Sequence, residues 1–355
     1  MDSMEKDKAP YLATDQLVSI IVLSYMNTEF LHECLDSIYI QTYQDIELII
    51  SNDGSHDFDE TLVAADVEKN KSPNIKNVII NKNPKNVGTV RHCNIALDLS
   101  HGSYIMFIAC DDAYNNKDAV KDMIEGFNVA PPDVMSIVGQ TGMYDEDLKE
   151  CQELYVSKDT QGLINKLSPQ EFYRKHLVLM SLLPPASRVF RKEVFEKYGK
   201  FDEDYYIIED WTTSVSHAKQ GMRTYYLDIM CINHRDGGIS HSEPNPHSSA
   251  QKMYILDYLK ALETGLQDES LDKKVLKRLK QIKKWEAYRY GKTFIAPFLK
   301  RPGEKLRFFV DYELRYRFPR KCRTFLRIIK NWIYVLTIGR EKKADREKKK
   351  GREKK

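Results

Sequence analysis

Short apolar runs alternate with amphipathic stretches through the first third of the chain. "VSIIVLSY" (18–25) is apolar and rich in β-branched residues without polar alternation, which predicts a strand buried on both faces. In "TEFLHECLDSIYIQTY" the residues Phe30, Leu31, Cys34, Leu35 and Ile38 recur at helical spacing, and Thr28 is placed to cap that helix. "IELIISNDGS" predicts a second strand running into a turn. A helical stretch near 58–70, a strand over 77–83, a helix over 89–100 and a strand over 104–109 continue the alternation. Such a pattern predicts βαβ units and a mostly parallel sheet covered by helices. Ligands of these sheets bind beyond the carboxyl ends of the strands, where "SNDGS" and "CDDAY" both fall.

A second section begins at "PPDVMSIVGQ" (131–140), which predicts another strand. "SLLPPASRVFRKEVFEKYGKFDED" reads as loop, strand and short helix, and "MRTYYLDIMCINHRDGGIS" as a strand followed by a glycine-containing loop. From about residue 250 the pattern is helical and highly charged, and no repeat of fixed period is present.

With 355 residues, 42% of them hydrophobic, the chain can bury a large catalytic domain and a smaller appendage. The net charge of +3 conceals an asymmetry, because the last sixteen residues hold ten basic side chains against four acidic ones. The six cysteines form no C-x-x-C pair, which argues against a zinc knuckle and a secreted disulfide framework and for a reducing cytosol. The polar start lacks the order of a signal peptide, and no apolar run approaches the roughly 20 residues of a bilayer span. These features predict a cytoplasmic protein.

"YIMFIACDDAYNNKD" (104–118) drives an apolar strand into two adjacent carboxylates, Asp111 and Asp112. Their repulsion is relieved if Mg2+ or Mn2+ sits there with a diphosphate. The competing reading is a solvated turn in which Asp112 or Asn116 caps the following helix. Asp53-Gly54 in "SNDGS" is either ordinary turn chemistry or a carboxylate that accepts hydrogen bonds from a base or ribose. Glu209 and Asp210 precede Trp211 at a helix start. They either complement the helix dipole or supply a general base beside an aromatic floor suited to a sugar, a role that contributes about 10² to 10⁴ in rate. "NHRDGGISH" (233–241) is either a solvated loop or a diphosphate clamp built from Arg235 and backbone amides.

Taken in order, the stretches "VSIIVLSYMNTEFLHECLDSIYIQTYQDIELIISNDGS", "NVGTVRHCNIALDLSHGSYIMFIACDD", "RVFRKEVFEKYGKFDEDYYIIEDW" and "HRDGGIS" resemble glycosyltransferase family 2. They span about residues 17–241. The resemblance implies an α/β GT-A fold, a Rossmann-like mostly parallel sheet flanked by helices, here followed by a helical C-terminal extension. It implies that Ser24 and Tyr25 edge the nucleotide pocket, that Asp53 holds the base and that Asp111 touches the donor's ribose or sugar. Asp112 would ligate Mn2+ or Mg2+, with His234 in reach of the metal and Arg235 over the diphosphate. Asp210, supported by Glu209, would deprotonate the acceptor hydroxyl for a single displacement with inversion, and Trp211 would contact the acceptor. The chain departs from the family where Ala109 replaces the first acid of an Asp-x-Asp-Asp run. It departs again at Cys93-Asn94, where many members have Arg-Asn and where Arg91 is the expected substitute.

The implied organisation is a disordered 1–16, a nucleotide-sugar-binding half over 17–125, an acceptor-binding half over 126–245, a helical extension over 246–300, and a basic membrane-associating region with a lysine-rich tail over 301–355. Within the last of these, Phe325, Ile328, Ile329, Trp332 and Leu336 recur at helical spacing among basic residues, a pattern suited to an anionic membrane surface or to packing on the domain. No nucleic-acid recognition motif accompanies the lysines. The expected function is transfer of a sugar from a nucleotide-diphosphate donor, UDP-linked, to a hydroxyl of a glycan or lipid-linked acceptor in bacterial surface polysaccharide synthesis. The expected place is the inner face of the cell membrane, with the oligomeric state open. Ala109 leaves a catalytically degenerate scaffold as an alternative. A sugar-phosphate nucleotidyltransferase would need a glycine-rich basic loop after the first strand, and "LSYMNTEFL" has neither glycine nor base.

Overall fold

A computed structural model describes residues 16–26, 28–184, 186–236, 238, 243–295, 297 and 303–304. The expected disordered start and the membrane-associating region therefore lie outside the described residues but for Gln16, Gly303 and Glu304, as do Gly237, Ile239, Ser240 and His241 of the glycine loop.

Strands β1 (Val18–Ser24), β2 (Ile46–Asn52), β3 (Ile75–Lys82) and β4 (Tyr104–Ala109) pair in parallel in the order β3-β2-β1-β4. Helices α1 (Leu31–Tyr39), α2 (Glu60–Asn70) and α3 (Thr89–Asp98) connect them. β1 and β2 are buried along almost their whole length, which is why their sequences show apolar runs rather than alternation. The chain steps outward from β1 to β3 and then returns to place β4 on the other side of β1. That reversal opens a crevice at the carboxyl ends of β1 and β4. Ser24 and the Cys110–Asp112 turn stand at its rim.

The remaining sheet is mixed. After β5 (Ala113–Tyr114) come α4 (Ala119–Val129), β6 (Val134–Tyr144), β7 (Cys151–Leu154), α5 (Lys158–Ile164), α6 (Pro169–Val178), β8 (Arg188–Arg191), α7 (Glu193–Lys197), α8 (Asp210–Lys219) and β9 (Arg223–Arg235). β8 lies antiparallel between β4 and β6, β9 runs parallel to β6, and β5 pairs antiparallel with β9. Two consequences matter for the site. An antiparallel β8 brings its first residue, Arg188, to the carboxyl end of β4. The register of β5 on β9, Ala113 opposite Asn233, sets Asp112 against His234.

Helices α9 (Ser249–Leu266) and α10 (Lys273–Tyr290) follow. Among the described residues, those up to 244 together with 248–280 form one compact unit and 245–247 with those from 281 onward a second, so α9 lies in the first unit. Its buried Asp257 accepts hydrogen bonds from the backbone N–H groups of Tyr206, Ile207 and Ile208 at 2.8, 2.6 and 3.3 Å. A further local difference concerns Thr28, which sits in a 3-10 turn and donates to Asp57 at 2.7 Å rather than capping α1. Among the described residues no helix is long and apolar enough to cross a membrane.

Candidate active site

At the end of β4 the turn commits Asp112 to a buried position, 2% exposed. His234 Nδ1 lies 2.9 Å from its Oδ1 and 3.1 Å from its Oδ2, and the Arg235 backbone N–H donates to Oδ1 at 3.2 Å. Asp112 therefore does not cap the next helix. Burial opposes a charge on His234, but the bond and charge of Asp112, helped by Asp111 and Asp236, outweigh it and hold the imidazole above its ordinary value. A carboxylate and an imidazole facing one another fit a divalent ion that accepts oxygen and nitrogen ligands. No cluster of three such side chains occurs among the described residues, so an ion held by Asp112 and His234 would complete its shell with ligand or solvent oxygens.

Arg235 is not where the diphosphate reading requires it. Its guanidinium is buried, donating from Nε to the Asp111 carbonyl at 2.9 Å, from Nη1 to the Glu146 carbonyl and from Nη2 to Glu33, with Cζ 4.1 Å from the Phe30 ring centre. These partners occupy its fork, so Arg235 braces the Asp111–Asp112 turn against α1. Arg235→Met is expected to lower unfolding free energy by about 2–3 kcal/mol in urea titrations. A phosphate clamp would instead lose nucleotide affinity without loss of stability.

The first motif also serves as scaffolding. Ser24 is buried and accepts from Asn52 Nδ2 at 3.1 Å, whereas Tyr25 is 47% exposed at the crevice rim. The Asp53 carboxylate accepts from Asn83 Nδ2 at 2.9 Å, from Val87 N–H at 3.0 and 3.1 Å and from Gly88 N–H at 3.1 Å. Through those bonds Asp53 holds the 83–88 loop. Gly54 needs its freedom, with φ of +77° and room for a Cβ only 2.6 Å from the Lys85 backbone. The braced loop in turn fixes Tyr206, whose hydroxyl donates to Asn86 at 2.8 Å and whose carbonyl accepts from Val90 N–H at 3.3 Å. Arg91 is largely exposed and its Nε lies 3.9 Å from Glu203, so it does not join the Asp112 pair.

Asp53 and Asp257 hold the segment that delivers Glu209 and Asp210 to the start of α8. Both acids line a cavity of about 40 Å³ over β1, β4 and β8, walled by Leu23, Phe107, Phe190 and Phe201. Burial and then the Asp210 charge push Glu209 up to about 8. Burial also raises Asp210, while backbone N–H groups and Arg188 partly offset the rise. This is the environment of a carboxylate tuned for proton transfer near neutrality. Trp211 does not share this cavity. It is 3% exposed, donates from Nε1 to the His176 carbonyl at 2.8 Å and meets Tyr258 edge-on, with one edge reaching a separate cavity of about 200 Å³ beside Tyr173, Tyr205 and Lys219.

Sequence reasoning passed over Arg188. The residue is 5% exposed, lines the cavity of the acidic pair, and gives Nη1 to Ser214 Oγ at 2.6 Å. Among the described residues its Nε and Nη2 have no hydrogen-bond partner, and neither does Oγ1 of Thr213 on the same wall. Burial lowers the guanidinium to about 10, which leaves it charged. His176 and His217, also lowered by burial to about 3 and about 4, stay neutral nearby. A buried unpaired donor costs about 1–3 kcal/mol, so such a group calls for an explanation. No motif marks Arg188 in the sequence; only an arginine inside an otherwise apolar strand could have drawn attention.

The sheet order β3-β2-β1-β4-β8-β6-β9, with a crevice at its switch point, is that of the GT-A fold. The model of the glycosyl transferase family 2 matches residues 19–199, and the chain belongs to that family of glycosyltransferases. It is 27% identical over 243 residues to the uncharacterized glycosyltransferase EpsJ of Bacillus subtilis, a match covering 67% of each chain. Among solved structures it resembles residues 1–349 of TarS from S. aureus in complex with UDP-GlcNAc, at a TM-score of 0.54 and 15% identity over 85% of this chain and 82% of that one. It also resembles the mannosyltransferase PcManGT of Pyrobaculum calidifontis in complex with GDP-Man and Mn2+, at a TM-score of 0.52 and 17% identity over 89% and 87% of the two chains.

Proposed function

We propose that the protein moves a sugar from a nucleotide-diphosphate donor, UDP-linked, to a hydroxyl of a glycan or lipid-linked acceptor, with inversion. The observation that carries this reading is the partly accessible Glu209–Asp210 pair in a desolvated cavity at the crevice. Residues 17–125 would hold the donor and 126–245 much of the acceptor side, completed by α9 through Asp257. Tyr25, exposed at the rim, would edge the nucleotide pocket, and Asp111 would touch the donor's ribose or sugar. Asp112 and His234 would hold Mn2+ or Mg2+, which when bound neutralises charge on the leaving diphosphate.

Asp210 takes the acceptor proton. Glu209, the more strongly raised acid, keeps its own proton and spares the pair a second negative charge. The hydroxyl oxygen then bonds to the anomeric carbon as the bond to the diphosphate oxygen breaks. Complexes of the structural neighbours with UDP-GlcNAc and with GDP-Man and Mn2+ support a nucleotide-sugar donor and a divalent ion. Similarity to EpsJ supports a bacterial role, and we extend it to surface polysaccharide synthesis at the inner membrane face, where a lipid-linked acceptor would be met. Calorimetric titration with UDP, with and without Mn2+, tests the donor assignment. Metal-dependent binding is expected, and binding that ignores Mn2+ would overturn the assignment of Asp112 and His234.

A further inference from the structure

We propose that Arg188 touches the substrate, one N–H of its unpartnered edge donating to one lone pair of the acceptor hydroxyl that faces Asp210 and leaving the other lone pair for attack. The inference rests on the reading of Asp210 as the base. Three features of the cavity carry it. The arginine is buried and its fork is half used: Nη1 is tied to Ser214, whose own hydroxyl donates to the Asp210 carbonyl at 2.5 Å, so the guanidinium is held at the first turn of α8. The other donors are buried without a hydrogen-bond partner among the described residues, on a side chain that lines the same small cavity as the carboxylates. Thr213 adds an unpartnered hydroxyl to the same wall.

A group that satisfies this lining must accept from Arg188 and donate to Asp210, as a hydroxyl does. A carboxylate on the substrate would meet the charge of Asp210 and is disfavoured. About 40 Å³ of water-accessible space holds a hydroxyl, given that a water needs roughly 10–15 Å³. The acceptor class is therefore a neutral sugar edge with a projecting hydroxyl, such as an exocyclic hydroxymethyl. During transfer the proton passes to Asp210 and the oxygen's electron pair forms the bond to the anomeric carbon. The bond from that carbon to the diphosphate breaks, and its electrons leave with the diphosphate. Negative charge rises on the attacking oxygen as its proton departs, so its single bond from Arg188 strengthens on the way to the transition state while the free lone pair attacks.

The test compares full-length parent, Arg188→Met, Arg188→Lys and Asp210→Asn. Without substrate, Met removes unpartnered buried donors, so its melting temperature is expected to hold or to rise by about 2–4 °C. A structural arginine would instead make it fall by several degrees, and that result overturns the proposal. UDP binding with Mn2+ is expected to stay within about twofold in the Met variant. UDP release is then measured from UDP-glucose and UDP-N-acetylglucosamine, with methyl glucoside and its 6-deoxy counterpart as acceptor probes. Met should lower kcat by about 10² to 10³-fold with donor KM unchanged, Lys should restore part of the loss, and the 6-deoxy probe should transfer poorly even with the parent. If Asp210→Asn is inactive while Arg188→Met transfers at the parent rate, the Arg188 contact is wrong and the base assignment stands. If Asp210→Asn keeps the parent rate, the base assignment itself fails, and the Arg188 contact with it.

Discussion

Asp210→Asn is expected to lower the transfer rate by about 10² to 10⁴-fold while UDP and Mn2+ bind as before. The amide keeps the shape of the carboxylate and its place at the start of α8, but it cannot accept the proton of the attacking hydroxyl. The separation of chemistry from donor binding is what the geometry requires. Asp210 lines the Arg188 cavity, whereas Asp112 and His234 meet at the rim built by β5 and β9. An equal loss of donor affinity would place Asp210 in the donor site instead. Glu209→Gln extends the test through pH. With both acids raised by burial, the folded protein binds more protons than the unfolded chain between the ordinary value of 4.5 and about 8 for Glu209. Stability therefore falls as pH climbs through that window. Removing the ionisable Glu209 should flatten this decline in urea titrations and leave the rising limb of the rate profile, set by Asp210, in place, because Glu209 is protonated while Asp210 ionises. A decline that stays as steep would mean that Glu209 does not hold the raised proton.

The second large effect is expected at Asp112. Asp112→Ala should weaken Mn2+-supported UDP binding by more than about 100-fold, beyond the loss typical when a group behind a metal ligand is removed. The same change takes away the carboxylate that receives His234 and the Arg235 backbone, so a modest loss of stability is expected with it. Asp112→Asn separates the two effects: it can still accept from the Arg235 N–H but lacks the charge that a cation needs. Retention of Mn2+-dependent binding in both variants would reduce Asp112 to a brace for β9, like Arg235 for the turn before it.

The elements of the parallel half and their approximate bounds were readable from the chain alone because periodicity is a local property, whereas β5, β7, α5 and α6 were not. An unbroken β-branched run can only be comfortable with both faces covered, and β1 and β2 are so covered. The acids at strand ends were readable for the same reason: charges that interrupt apolar runs stand out against burial costs. What could not be read was which groups face one another. Asp112 and His234 are 122 residues apart and meet through the register of a two-residue strand. On β9 successive side chains point to opposite faces, so nothing in "NHR" says that Arg235 turns inward to Glu33 and Phe30 while His234 turns to Asp112. Asp53 and Trp211 have the residue types of binding groups, yet their hydrogen-bonding atoms are taken up by the 83–88 loop and the His176 carbonyl. Arg188 reached the acidic pair because β8 runs antiparallel to β4, a sheet-order decision that local patterning does not encode. Pattern dictates which segments can bury, but the order and direction of strands decide where each polar atom finds its partner.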